Sequence, residues 1–217
     1  MNANSAPKIE SLECEWIPAK ERSAKLLVVL HGRGDSSEGF RWLPEAFGFT
    51  ALNYLLVNAP DEYFGGRSWY GLPPDQKPGV LRSRDSLDQL FGELIQAGYE
   101  PGDMGLFGFS QGCLMTLEWG VRSALKLSAY VGVSGYCLDP EALLSERNLE
   151  RDTSAWIITH GRQDEALPYA TTQQQIEELA RGGFALRFET YDKGHTIDPY
   201  DELPLLREFV QAKLDVH

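Results

Sequence analysis

Met104-Gly-Leu-Phe-Gly-Phe-Ser-Gln-Gly112 is the stretch around which the chain is arranged. A short apolar run ends in Gly108-Phe-Ser-Gln-Gly112, and a helix-like segment, Cys113-Leu-Met-Thr-Leu117, begins at once. A G-x-S-x-G pattern with a strand before it and a helix after it turns so sharply that the middle side chain stands clear of the backbone. Gly108 and Gly112 suit the flanks because a Cβ there would crowd the turn. Ser110 is therefore expected to be a nucleophile at the C-terminal edge of a sheet.

The flanking sequence supplies the rest of that sheet. Leu26–Leu30 and Asn53–Val57 are continuous apolar runs of the kind buried on both faces. Ala129–Val133 and 156–159 read the same way, while 9–17 and 186–191 alternate as half-exposed strands do. Helical spacing or helix signals place helices at Leu43–Phe47, 81–97, from the serine to about residue 123, after Asp139-Pro140, at 171–181 and at 202–213. Residues 61–79 are rich in glycine, proline and aromatics and read as a long functional loop. Tyr63, Phe64, Trp69 and Tyr70 argue against disorder there, because their rings should be buried. Strands alternating with helices give an α/β protein with a mostly parallel central sheet covered on both faces. Ligands in such sheets bind outside the carboxyl ends of the strands.

The 217 residues suit one domain. Twenty basic against 32 acidic residues give a net charge of −12. That disfavours nucleic acid and anionic membrane surfaces as partners. No apolar run approaches the roughly 18 residues of a membrane span, and the first nine residues lack a signal-peptide core. Three widely spaced cysteines, Cys14, Cys113 and Cys137, form neither a metal pattern nor a disulfide framework. Buried free thiols in a reducing cytoplasm are the expectation.

Four predicted strands lead into His31-Gly32, Ser110, Asp164 and His195. A serine hydroxyl is a weak nucleophile until a base takes its proton, and imidazole suits that role near neutral pH. A carboxylate on the far ring nitrogen fixes the tautomer and stabilises the imidazolium. Ser110, Asp164 and His195 occur in the chain order of α/β-hydrolases, with Glu165 and Asp192 as rival acids. His160 and His217 read as structural or solvated. The oxyanion of acyl transfer needs aimed N–H donors; the N–H of Gln111 and that of Arg33, in the loop after an early strand, are the candidates.

Leu30-His-Gly-Arg-Gly-Asp35, Gly108-Phe-Ser-Gln-Gly112, Gly161-Arg-Gln-Asp-Glu-Ala-Leu-Pro168 and Gly194-His-Thr-Ile197 together resemble the carboxylesterase/phospholipase branch of the α/β-hydrolases, which includes acyl-protein thioesterases and small bacterial carboxylesterases. The resemblance implies an α/β-hydrolase fold, a Ser110–Asp164–His195 triad, backbone donors at Arg33 and Gln111, and neither metal nor organic cofactor. Gly66-Arg-Ser-Trp-Tyr70 resembles an aromatic segment near that branch's active site. Trp69, Tyr70 and Phe64 are accordingly expected to wall an acyl pocket, apolar and aromatic as pockets mostly are. Arg33 stands where the branch has a small or apolar residue; a long cation there could favour a substrate with a nearby carboxylate or phosphate, and the preferred expectation is that it points outward to Asp35 or Glu38. Cys113 stands where a very small residue is usual and should pack beneath the helix. The chemistry implied is cleavage of carboxylic esters or thioesters. A lysophospholipase on the same triad and a non-catalytic binding protein are the alternatives, and a homodimer is left open.

Overall fold

The computed structural model describes residues 5–148, 155–184 and 186–217. Seven strands form one sheet in the order β1-β3-β2-β6-β7-β8-β9. They are β1 (Cys14–Ile17), β2 (Leu26–Leu30), β3 (Asn53–Val57), β6 (Met104–Phe109), β7 (Ala129–Val133), β8 (Trp156–Gly161) and β9 (Arg187–Tyr191). Only β1 runs antiparallel, along the β3 edge; the other pairings are parallel. This is an α/β-hydrolase-type fold.

The continuous apolar runs follow from cover on both faces. Along β2, Leu26, Val28 and Leu30 enter one core with Leu87, Phe91 and Leu94 of α2 (Gln76–Gln96), Leu114 of α3 (Gln111–Gly120), Leu143 of α4 (Pro140–Ser145) and Leu179 of α5 (Tyr169–Arg181). Leu27 and Val29 enter the other core, with Leu43 and Phe47 of α1 (Leu43–Phe47) and Leu206, Val210 and Leu214 of α6 (Glu202–Leu214). A strand's side chains alternate between faces, so a strand lined on both must be apolar throughout.

Register carries the strand ends to one edge. Leu30 pairs with Gly108, Phe109 with Val133, Val133 with Thr159, and Gly161 with Tyr191. The segments after β2, β6, β7, β8 and β9 therefore emerge together.

Three expectations need correction. Only Cys14–Ile17 of the alternating 9–17 run is strand; Glu93 on α2 instead accepts from the N–H groups of Glu10 and Ser11 and, at 2.7 Å, from Ser11 Oγ. Residues 61–79 are not a single loop: β4 (Asp61–Tyr63) and β5 (Gly66–Ser68) form a hairpin. Helix α2 begins at Gln76, earlier than its apolar period suggests, because Pro78 falls in its first turn, where a missing N–H costs nothing. Among the described residues, no helix is long and apolar enough to cross a membrane.

Candidate active site

Ser110 sits between β6 and α3 at φ 54° and ψ −113°. A non-glycine residue there is strained and persists only where its surroundings hold it. Here its N–H donates to Val133 O (2.9 Å) and its carbonyl accepts from Leu114 N–H (3.2 Å). The flanking glycines are required by space. A Cβ on Gly108 would lie 2.1 Å from Gly112 O, and one on Gly112 would lie 2.2 Å from Leu30 O.

The loops after β9 and β8 bring His195 and Asp164 to Ser110. His195 Nε2 lies 2.9 Å from Ser110 Oγ, and its Nδ1 lies 2.8 Å from Asp164 Oδ2. A carboxylate only accepts, so Nδ1 carries the proton and Nε2 offers its lone pair to the hydroxyl. The other Asp164 oxygen accepts from the N–H groups of Ala166 (3.0 Å) and Leu167 (2.8 Å). Asp164 is thus both a turn residue and the partner of His195. The rival acids lie elsewhere: Glu165 is exposed, and Asp192 pairs on the surface with Arg162.

Two further histidines are buried, and burial lowers the pKa of both. His31 Nε2 accepts from Ala59 N–H (3.1 Å), so Nδ1 donates to Gly32 O (2.6 Å). Trp69 Nε1 donates to the His31 carbonyl (2.9 Å). These bonds fix the loop after β2, as do Gly34 N–H to Arg67 O and Asp35 N–H to Gly32 O. That loop lies against the serine: a Cβ on Gly32 would be 3.2 Å from Ser110 Cβ. Arg33 follows Gly32 directly, and Gln111 opens α3, where a helix leaves its first N–H groups without intrahelical acceptors. His160 Nε2 donates to Leu167 O at 2.9 Å and lies 3.6 Å from Asp164.

The Arg33 guanidinium lies over the Tyr63 ring, 5.5 Å from its centroid, rather than on Asp35 or Glu38; Arg41 takes Glu38. Cys113 is buried as expected, and burial pushes its thiol up to about 12. The three cysteines are free.

The aromatic candidates do not sit as expected. Trp69 and Tyr70 are 0% and 2% exposed and belong to the core, whereas Phe64, at the hairpin tip, is 97% exposed. None of the three is among the residues lining the cleft beside His195. The cleft beside His195 has a volume of about 470 Å³ and is lined instead by Phe40, Trp42, Phe109, Ile197 and Leu203, with Asp35 at its side.

Two supports escaped the sequence reading. The Gln111 side chain accepts from Trp69 N–H (2.9 Å) and Ser68 Oγ (3.1 Å) and donates to Tyr70 O (2.8 Å), clamping residues 68–70 to the start of α3. Lys193 and Glu202 form a buried ion pair at 2.6 Å. Lys193 also donates to Thr196 O and Ser134 Oγ, and Glu202 accepts from Asp198 N–H, so the pair spans the segment that carries His195. Among the described residues, no group of three or more His, Cys, Asp or Glu side chains is placed to hold a metal ion.

The family model for Phospholipase/Carboxylesterase matches residues 13–214. Acyl-protein thioesterase 1 of Yarrowia lipolytica is 30% identical over 70% of this chain and 75% of its own. The Aspergillus fumigatus protein of the same name is 26% identical over 90% of each. Among solved structures, esterase PE8 superposes with a TM-score of 0.82 at 28% identity, covering 94% of this chain and 99% of its own.

Proposed function

The chain belongs to the phospholipase/carboxylesterase family, and from that premise we propose that it cleaves carboxylic esters or thioesters through an acyl-enzyme on Ser110. Ser110 Oγ bonds to the acyl carbon while its proton passes to His195 Nε2. The carbonyl π electrons move to the oxygen, which the N–H groups of Gln111 and Arg33 stabilise. Collapse breaks the bond to the leaving oxygen or sulfur, which departs with the Nε2 proton. Water then gives a proton to the same imidazole and attacks the acyl carbon, the Ser110 Oγ–acyl bond breaks, and Oγ recovers a proton as the carboxylic acid leaves. Asp164 holds the imidazole tautomer and stabilises its charge throughout.

The observation that supports this reading is the hydrogen-bonded line from Ser110 through His195 to Asp164, at 2.9 and 2.8 Å. Three free cysteines fit a reducing compartment and support a cytoplasmic location. The test is Ser110→Ala with p-nitrophenyl esters. In another serine hydrolase, losing the nucleophile costs on the order of 10⁶-fold in kcat, and a loss of that order is expected here, together with loss of labelling by a fluorophosphonate. Turnover that survives the substitution would refute the assignment.

A further inference from the structure

The cleft beside His195 does more than border the reacting atoms. The structure assigns it to the leaving group of the substrate, and its lining selects esters of uncharged, apolar and preferably aromatic alcohols or thiols.

This inference rests on the acyl-enzyme reading, because that chemistry fixes the side on which the leaving group lies. When the tetrahedral intermediate collapses, the bond from the acyl carbon to the leaving atom breaks and that atom takes the Nε2 proton. It must then be within roughly 2.6–3.2 Å of Nε2, with the rest of the leaving group continuing past His195. The cleft is walled by His195, Thr196 and Ile197 from the loop after β9 and by Asp35, Phe40 and Trp42 from the segment after β2. Its volume of about 470 Å³ lies within the roughly 300–1,000 Å³ of ordinary ligand sites.

Its chemistry is specific. Aromatic rings run from the imidazole outward: Phe109 is 5.1 Å from His195, Phe40 is 6.4 Å from Phe109, and Trp42 stacks on Phe40 at 6.0 Å and 28°. Trp42 is 40% exposed at the outer end, so its ring is free to cover an incoming flat group. Among the described residues of the lining, Asp35 is the only acidic side chain and none is lysine or arginine. An anionic leaving group would meet like charge there without a partner.

The test compares acetate esters of ethanol, benzyl alcohol, 2-naphthylmethanol and 4-carboxybenzyl alcohol. In the unaltered enzyme, kcat/KM should rise about tenfold or more from ethyl to 2-naphthylmethyl and fall about tenfold from benzyl to 4-carboxybenzyl. Trp42→Ala should lower the naphthylmethyl-to-ethyl ratio about tenfold, and Trp42→Phe should restore most of it. A second series, ethyl esters of lengthening acyl chains, should keep its internal ratios in both variants. Free 2-naphthylmethanol should occupy the cleft in both the free enzyme and the acyl-enzyme and so inhibit ester hydrolysis by the unaltered enzyme with a mixed pattern, which needs no variant to fold. A flat leaving-group profile, or a Trp42→Ala effect that follows the acyl series instead, would overturn the assignment while leaving the triad intact. Esterase activity that survives Ser110→Ala would instead remove the reading beneath it.

Discussion

Ser110 keeps an unfavourable backbone geometry because the residues around it leave no other. Its φ of 54° is tolerated where β6 hands over to α3 within one residue and both neighbouring loops press in. Gly112→Ala tests this directly. The added methyl would meet the Leu30 carbonyl, a backbone atom of the central strand, at 2.2 Å. Overpacking of this kind costs about 1–3 kcal/mol, so chemical denaturation should show a loss at or above that range. Ester turnover should also fall, because the displaced turn carries Ser110, the proposed nucleophile. At this scale the sequence was most readable where a motif states a steric rule: Gly108, Ser110 and Gly112 could be placed without coordinates. The aromatic candidates could not. Composition says that Phe64, Trp69 and Tyr70 are large and apolar but not where each ring points, and the bond from Trp69 Nε1 to the His31 carbonyl leaves no sequence signal.

Among the elements, the loop that presents His195 depends on charges taken out of water. Lys193 and Glu202 are 5% and 0% exposed, and each is bonded to backbone groups of the segment between them as well as to the other. Removing one partner leaves the other charge buried and unpaired, which typically costs about 3–5 kcal/mol, whereas replacing both with apolar residues is often neutral or better. Glu202→Gln should therefore destabilise the protein by about that amount in urea, and Lys193→Met with Glu202→Leu should recover most of it. If the pair also sets the His195 position, the double variant should regain stability but not kcat. Recovery of both together would make the pair purely structural. The same scale shows why the hairpin of β4 and β5 was missed. Its strands are three residues long, too short for a period to register, and Phe64 takes φ 45° in the tight turn where asparagine, aspartate or glycine is the usual signal. The buried parallel strands were legible because five or six consecutive apolar residues cannot be satisfied by a half-exposed site.

At the scale of the whole molecule, the sheet sets the response to acid. Two histidines continue from or lie within its central strands, His31 after β2 and His160 in β8, at 1% and 0% exposure. Burial is the largest cause lowering each pKa, opposed for His160 by Asp164 and the Leu167 carbonyl and reinforced by Lys193 and His195. An unfolded histidine titrates near 6.5, so below that pH the unfolded chain binds protons that the folded chain refuses. Their contribution is complete above about pH 6.5 and is lost as the pH falls from there towards the folded pKa values. Glu118 acts in the opposite sense, since burial raises its pKa despite Arg122 and makes stability fall as the pH rises through its own range. The depressed carboxyls of Asp192 and Asp198 lose their contributions only at lower pH, as they protonate at or below the ordinary carboxylate range. Since the two histidines lose their contribution as the pH falls below about 6.5, the thermal midpoint should decline from pH 7.5 to pH 5.5. His160→Asn removes one of the two titrations, and calorimetry across that window should find a shallower decline in the variant; equal slopes would mean that His160 is protonated as readily in the fold as out of it.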